Sequence, residues 1–157
     1  MYLQFSIEGE KQLSRNLTTL DANLKNWKNE FSDVGRYLKN FFSGEVFESR
    51  GAVIGEGWKA LNPAYAAWKA KHFPGRGILE RTGKMRKSFQ AESGNDYTRV
   101  FNNTDYFKYH QSRMPRAVLP RRVMMKLDEK RKQTIIQIFR QGLQTQINRS
   151  GFKSLGI

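Results

Sequence analysis

A stripe of apolar residues near the start of the chain sets the first constraint. Leu13, Leu17, Leu20, Leu24, Trp27, Phe31, Val34, Leu38 and Phe41 follow one another at steps of 4, 3, 4, 3, 4, 3, 4 and 3. Only a helix brings positions with this 3.5-residue repeat onto one face. The pattern predicts helix from Glu10 to Phe47, roughly 55 Å long. Thr18–Asp21 offers capping side chains for a break. The repeat keeps its phase there, so one bent helix or two nearly collinear ones are expected. Trp27, Phe31 and Phe41 are broad, and they suit packing on a sheet better than a narrow two-helix seam. A coiled coil is the alternative, and Phe42 and Val46 remain as apolar positions for a neighbouring subunit.

The rest of the chain reads as short elements. Leu3, Phe5 and Ile7 alternate with polar residues as in a half-buried strand, ended by Gly9. Gly44, Gly51, Gly55 and Gly57 mark a loop. Asn62-Pro63 opens a helix through about Lys71, with Pro in the first turn. Thr82 can cap a short helix through Lys87. Ser88–Glu92 and Tyr97–Phe101 flank Gly94-Asn95-Asp96 as a hairpin. Thr104 or Asp105 can cap a helix to Gln111, a strand is expected near Arg122–Met125, and Leu127 to Arg149 forms an amphipathic helix. These elements predict an α+β fold over residues 1–157. It is a single domain, with long N-terminal and C-terminal helices packed on one small antiparallel sheet and a tail at 150–157.

Charge narrows the function classes. The 157 residues carry 28 Lys and Arg against 14 Asp and Glu, a net +14. That excess predicts a polyanionic neighbour, either nucleic acid or an acidic protein rim. Arg113, Arg116, Arg121, Arg122, Lys126, Lys130, Arg131 and Lys132 crowd together around Pro115 and Pro120. Such a stretch suits a loop that tracks a phosphate backbone and equally one that grips an acidic protein. There is no cysteine, so disulfides and thiolate chemistry are excluded. The longest apolar run, Ala64–Trp68, is far short of the ~20 residues of a membrane helix. No apolar leader with a cleavage site follows Met1, so no signal peptide is expected.

Catalytic signatures fail one by one. His72 and His110 are the only histidines, and neither sits in an HExxH pair, so no metal site is expected. No GxSxG elbow is present. Gly77 to Gly83-Lys84 resembles a phosphate-binding loop, but five residues separate the glycines and Met85 stands where Ser or Thr would bind magnesium. Gly51 to Gly57 lacks the preceding strand of a dinucleotide fingerprint. The expectation is a non-enzyme with no catalytic residue and no cofactor.

The middle of the chain, about Gly44 to Lys130, resembles the phage virion morphogenesis family, the tail-completion or neck proteins of Mu-like and related tailed phages. Gly55-Glu56-Gly57-Trp58-Lys59-Ala60-Leu61-Asn62-Pro63 resembles its Gly, Trp, Leu, Ser or Asn, Pro pattern, and Lys69 or Lys71 its helix-closing lysine. Leu79-Glu80-Arg81-Thr82-Gly83-Lys84-Met85-Arg86-Lys87-Ser88 resembles its Leu-x-x-Thr-Gly-x-Leu-x-x-Ser segment, with Met85 in place of Leu. Asn102, Tyr106 and His110-Gln111 follow in the family's order, and Leu119-Pro120-Arg121-Arg122 resembles its Pro-x-Arg element. The chain departs from the family at Ser112-Arg113, where Gly is usual, and at Val123, where Pro is usual.

The resemblance implies a structural neck protein that forms a ring, hexameric by resemblance, at the head–tail junction and joins tail to head. Its implied partners are other copies of itself, a head connector or stopper protein, a tail terminator or tube protein, and DNA in the lumen. No membrane partner is expected. Its implied place is the virion neck, after assembly in the bacterial host cytoplasm. Trp58, Leu61, Pro63, Thr82, Gly83, Ser88, Tyr106, His110, Gln111 and Pro120 are then scaffold residues. Arg113, Arg116, Arg121, Arg122 and Lys126 are candidates for intersubunit or DNA contacts. The alternative reading is a non-specific nucleic-acid-binding protein acting through its basic surface.

Overall fold

The computed structural model describes residues 10–113 and 119–150. The expected strand over Leu3–Ile7, the tail beyond Ser150, and Pro115 and Arg116 lie outside the described residues. The long N-terminal helix is two helices, α1 (Glu10–Leu24) and α2 (Lys28–Ser43). Their break falls at Lys25–Trp27, later than Thr18–Asp21. Hydrogen bonding explains the displacement. The Thr18 and Thr19 hydroxyls donate back to the carbonyls of Ser14 and Arg15, both at 2.9 Å, and stay inside the helix. Asn26 Oδ1 instead accepts the Lys28 N–H at 3.0 Å, and the Trp27 N–H turns away to the Asn95 carbonyl at 3.2 Å.

The apolar stripe is shared among three environments. Val34, Leu38 and Phe41 are buried in the core. Trp27 and Phe31 meet Phe139, with ring centroids 5.6 and 5.0 Å away. Leu17 and Leu24 are 51% and 36% exposed. Phe42 and Val46, expected as apolar surface for a neighbour, are buried at 3% and 0%. The reason is a further turn of helix, α3 (Glu45–Glu48), and a 3-10 turn at Ala52–Ile54, in what the glycines marked as loop. These fold Val46, Phe47 and Ile54 back onto α2.

Helix α4 (Pro63–His72) starts on Asn62, whose side chain accepts the N–H groups of Ala64 and Tyr65. Helix α5 (Lys84–Lys87) leads into the hairpin β1 (Phe89–Ser93) and β2 (Thr98–Asn102), antiparallel with Ala91 opposite Val100. Both strands begin one residue later than the alternation predicts, because the Ser88 hydroxyl bonds the Lys84 carbonyl at 2.7 Å and closes α5. Helix α2 lies on this hairpin. Gly35 makes that approach close: a Cβ there would stand 2.5 Å from Thr98 Oγ1 and 3.1 Å from Ser93 Oγ.

Helix α6 (Phe107–Gln111) is one short turn, and α7 (Glu129–Arg149) begins on the Asp128 cap, which accepts the Arg131 N–H at 3.0 Å. Helix α7 packs on α1 and α2. It runs antiparallel to α2, since Phe139 meets Phe31 while Arg131 lies 3.9 Å above the Phe41 ring. The fold is α+β, with α2 as the layer between the two-stranded sheet and α7. Ser150, expected as the first residue of a tail, is buried and closes α7. No helix among the described residues is long and apolar enough to cross a membrane.

Candidate functional site

The segment from Arg121 to Lys126 carries the densest set of long-range bonds in the region. It has no regular secondary structure and joins no strand, contrary to the expectation near Arg122–Met125. Side chains take the place of a neighbouring strand. Gln111 Oε1 accepts the N–H groups of Met124 and Met125 at 2.9 and 3.1 Å, and its Nε2 donates to the Met125 carbonyl at 2.7 Å. The Trp58 indole N–H donates to the Val123 carbonyl at 2.7 Å. The Arg122 N–H reaches the His110 carbonyl at 3.0 Å. This strap buries Val123 and Met124, at 4% and 0%.

Arg122 sits 5% exposed beneath the strap. Its guanidinium donates to the carbonyl of Lys59 from Nε at 3.1 Å and from Nη2 at 2.9 Å. Burial pushes its pKa down. Arg122, a candidate for intersubunit or DNA contact, is therefore no part of an exposed cationic surface, and it meets the outside only through the cavity it lines. Arg121 and Lys126 both lie against Glu56, at 3.9 and 2.8 Å. The Lys126 hydrogen bond holds the Glu56 carboxyl below its ordinary 4.5, with the charges of Lys126, Arg121 and Arg113 adding to it. Arg131 is buried among Phe41, Asp128 and Glu45. Of the basic residues of this stretch that are described, Arg122 and Arg131 are buried, and Arg113, Arg121, Lys126, Lys130 and Lys132 are exposed.

The residues quoted for the family resemblance converge on one cavity of about 410 Å³. Leu61, Leu79, Met85 and Leu119 form its apolar walls, and Tyr65, Arg81, Thr82 and Tyr106 its exposed rim. Lys69, His110 and Arg122 are its buried polar lining. Lys69 is 4% exposed and donates to the Gly77 carbonyl. Burial lowers its pKa, Glu80 opposes the shift, and Arg122 and Arg81 add to it. Leu79 holds φ at +63°, a region where a leucine is under strain, and the turn it makes forms one wall.

The remaining motif residues lie outside the cavity lining and hold the elements that carry it. Gly83 caps α5 at φ +74°, while the Thr82 hydroxyl accepts the Lys84 N–H at 3.3 Å. Asn102 ties the strand end to α5 through the Met85 carbonyl at 2.7 Å. Pro63 occupies the first turn of α4, and Pro120 lines a neighbouring hollow. Trp58 pins the glycine loop: the ring meets Phe47 edge-on at 5.3 Å. Gly51, at φ +80°, lies so close that a Cβ would stand 2.5 Å from the indole nitrogen.

Sequence reasoning missed Arg81 and Tyr65 at the rim, and it gave no sign that Lys69 is buried. It also missed Arg86, which joins α5 to Ser43 O at 2.6 Å, Glu48 at 2.8 Å and Glu80 at 3.0 Å. The one signal for Lys69 was its place in the family pattern. Among the described residues no group of His, Asp and Glu is placed to hold a metal ion. Compared with curated proteins and with solved structures, the chain has no significant match. The family model described as phage virion morphogenesis family matches residues 9–144. That span takes in α1, the cavity, the strap and most of α7, so the chain belongs to the phage virion morphogenesis family and its role is a structural one in the phage virion.

Proposed function

We propose that the protein completes the phage neck: copies of it form a ring at the head–tail junction and join tail to head during assembly, without catalysing a reaction. The observation that carries this reading is apolar surface left uncovered on the single subunit. Leu17 and Leu24 on α1, and Ile136 and Leu143 on α7, are 36–51% exposed. Apolar side chains on paired helices of an assembly protein are suited to heterologous contacts between copies, the kind that close a ring. The ring is hexameric, by the family resemblance, and its faces meet a head connector or stopper on one side and a tail terminator or tube protein on the other. DNA passes through its lumen.

The test is a phage carrying Leu17→Lys and Leu24→Lys together. The expected result is free heads and free tails by electron microscopy, with the purified variant folded by circular dichroism and absent from particles by mass spectrometry. Normal yields of joined particles with this variant in place would defeat the reading. The second reading, non-specific nucleic-acid binding, is favoured by the net charge of +14. It requires DNA affinity that falls steeply between low and physiological salt.

A further inference from the structure

We propose that the cavity between α4, α5 and the start of the strap is a docking pocket for a carboxylate side chain, aspartate or glutamate, presented by a partner protein. This deepens the assembly reading by assigning the chemistry of one contact, and it rests on that reading for the partner's class. Among the described residues the lining includes three cations, Lys69, Arg81 and Arg122, and no carboxylate. The two buried ones bond only carbonyls among the described residues: Lys69 that of Gly77, Arg122 those of Lys59 and Ala60. Glu80 acts on Lys69 through space, but its carboxylate is engaged by Arg86 at 3.0 Å. Two cations taken out of water with no carboxylate bonded to either among the described residues, Glu80 being shared with Arg86, are costly, and an entering anion relieves that cost.

The shape selects among anions. Leu61 and Leu79 line the approach to Lys69, so the ligand needs an apolar stem behind its charge, as the methylenes of an acidic side chain provide. A duplex phosphate backbone is broad and flanked by sugars, and it tracks exposed cations rather than an ammonium at the floor of a hollow. The rim suits a protein as well. Tyr65 lines the cavity at 40% exposure and Trp68, 43% exposed and outside the lining, stacks on it at 5.7 Å, and exposed aromatics beside a charge pocket are the usual anchors of protein interfaces.

The experiment is a titration of the nitrogen-15-labelled full chain with N-acetyl-glutamate methylamide. Its neutral glutamine analogue, inorganic phosphate and a short DNA duplex serve as parallel arms. The expected result is saturable shifts at the amides of Lys69, Leu79 and Arg122 with the glutamate probe and none with the glutamine analogue. Arg81→Glu, an exposed rim change, should weaken the glutamate probe about fivefold while leaving the spectrum folded. Absence of saturable shifts at these amides would overturn the proposal. So would shifts there with phosphate or duplex but not glutamate, which would assign the pocket to a phosphodiester. Because the probe is small and the chain free, failure here leaves the head–tail joining phenotype standing, and loss of that phenotype leaves the titration intact.

Discussion

The indole N–H of Trp58 and the carbonyl of Val123 lie 2.7 Å apart across 65 residues of chain, both buried. That bond fastens the glycine loop to the strap together with the Lys126–Glu56 ion pair and the Arg122 bonds to the Lys59 carbonyl. Trp58→Phe keeps a ring against Phe47 and strands the carbonyl without a donor. The expected cost is about 1–3 kcal/mol of unfolding free energy by chemical denaturation. Limited proteolysis should cut first between Leu119 and Lys126. A variant as stable as the parent would show that the bond is replaced by water.

Gln111 stands in for a β-strand partner, so its amide should matter more than its volume. Gln111→Leu leaves two N–H groups and one carbonyl of the strap unpaired, and a loss of about 2–4 kcal/mol is expected. Hydrogen exchange at Met124 and Met125 should accelerate well beyond that in β1 and β2. Equal acceleration everywhere would mean the strap has no local stability of its own.

Arg131 is enclosed, yet its acidic partners are not: Glu45 keeps 59% of its side-chain exposure and Asp128 keeps 24%. Removing the guanidinium therefore leaves solvated carboxylates rather than a stranded buried charge. Arg131→Met, which retains contact with Phe41, should cost about 1 kcal/mol or less. A loss above about 3 kcal/mol in a denaturation curve would refute this.

Acid should loosen the strap through Glu56. Its folded pKa lies below the ordinary 4.5, so the unfolded chain binds the proton more readily in acid. The stabilisation is present above the ordinary value and disappears as pH falls through the folded one. Glu56→Gln should flatten the decline in stability between about pH 5 and pH 3 relative to the parent. Parallel curves for the two proteins would sink the assignment.

The sequence makes periodic and punctuated elements readable and conceals residues that act against type. The apolar stripe of α1 and α2, the Asn62-Pro63 start of α4, the hairpin and the Asp128-capped α7 follow from local rules of spacing and capping. Lys69, Arg122 and Arg131 do not, because a basic residue in a basic chain reads as surface. Only the tertiary fold puts each of them beside carbonyls or a ring. A strand was expected near Arg122–Met125, but the partners of this segment are the side chains of Gln111 and Trp58, which no strand pattern announces. The candidate cavity was legible only as separate motifs, since its walls come from α4, α5, α6 and the strap.

The contact between Gly35 and Thr98 makes two distant stretches of the gene answer to each other. Bulk added to α2 at this point presses on the hairpin, because a Cβ on Gly35 would stand 2.5 Å from the Thr98 hydroxyl. Alanine at 35 and alanine at 98 should thus show strong epistasis, each tolerated better in the company of the other than alone. A change of volume on one side of this contact favours a matching change on the other, so the helix and the hairpin behave as one inherited unit.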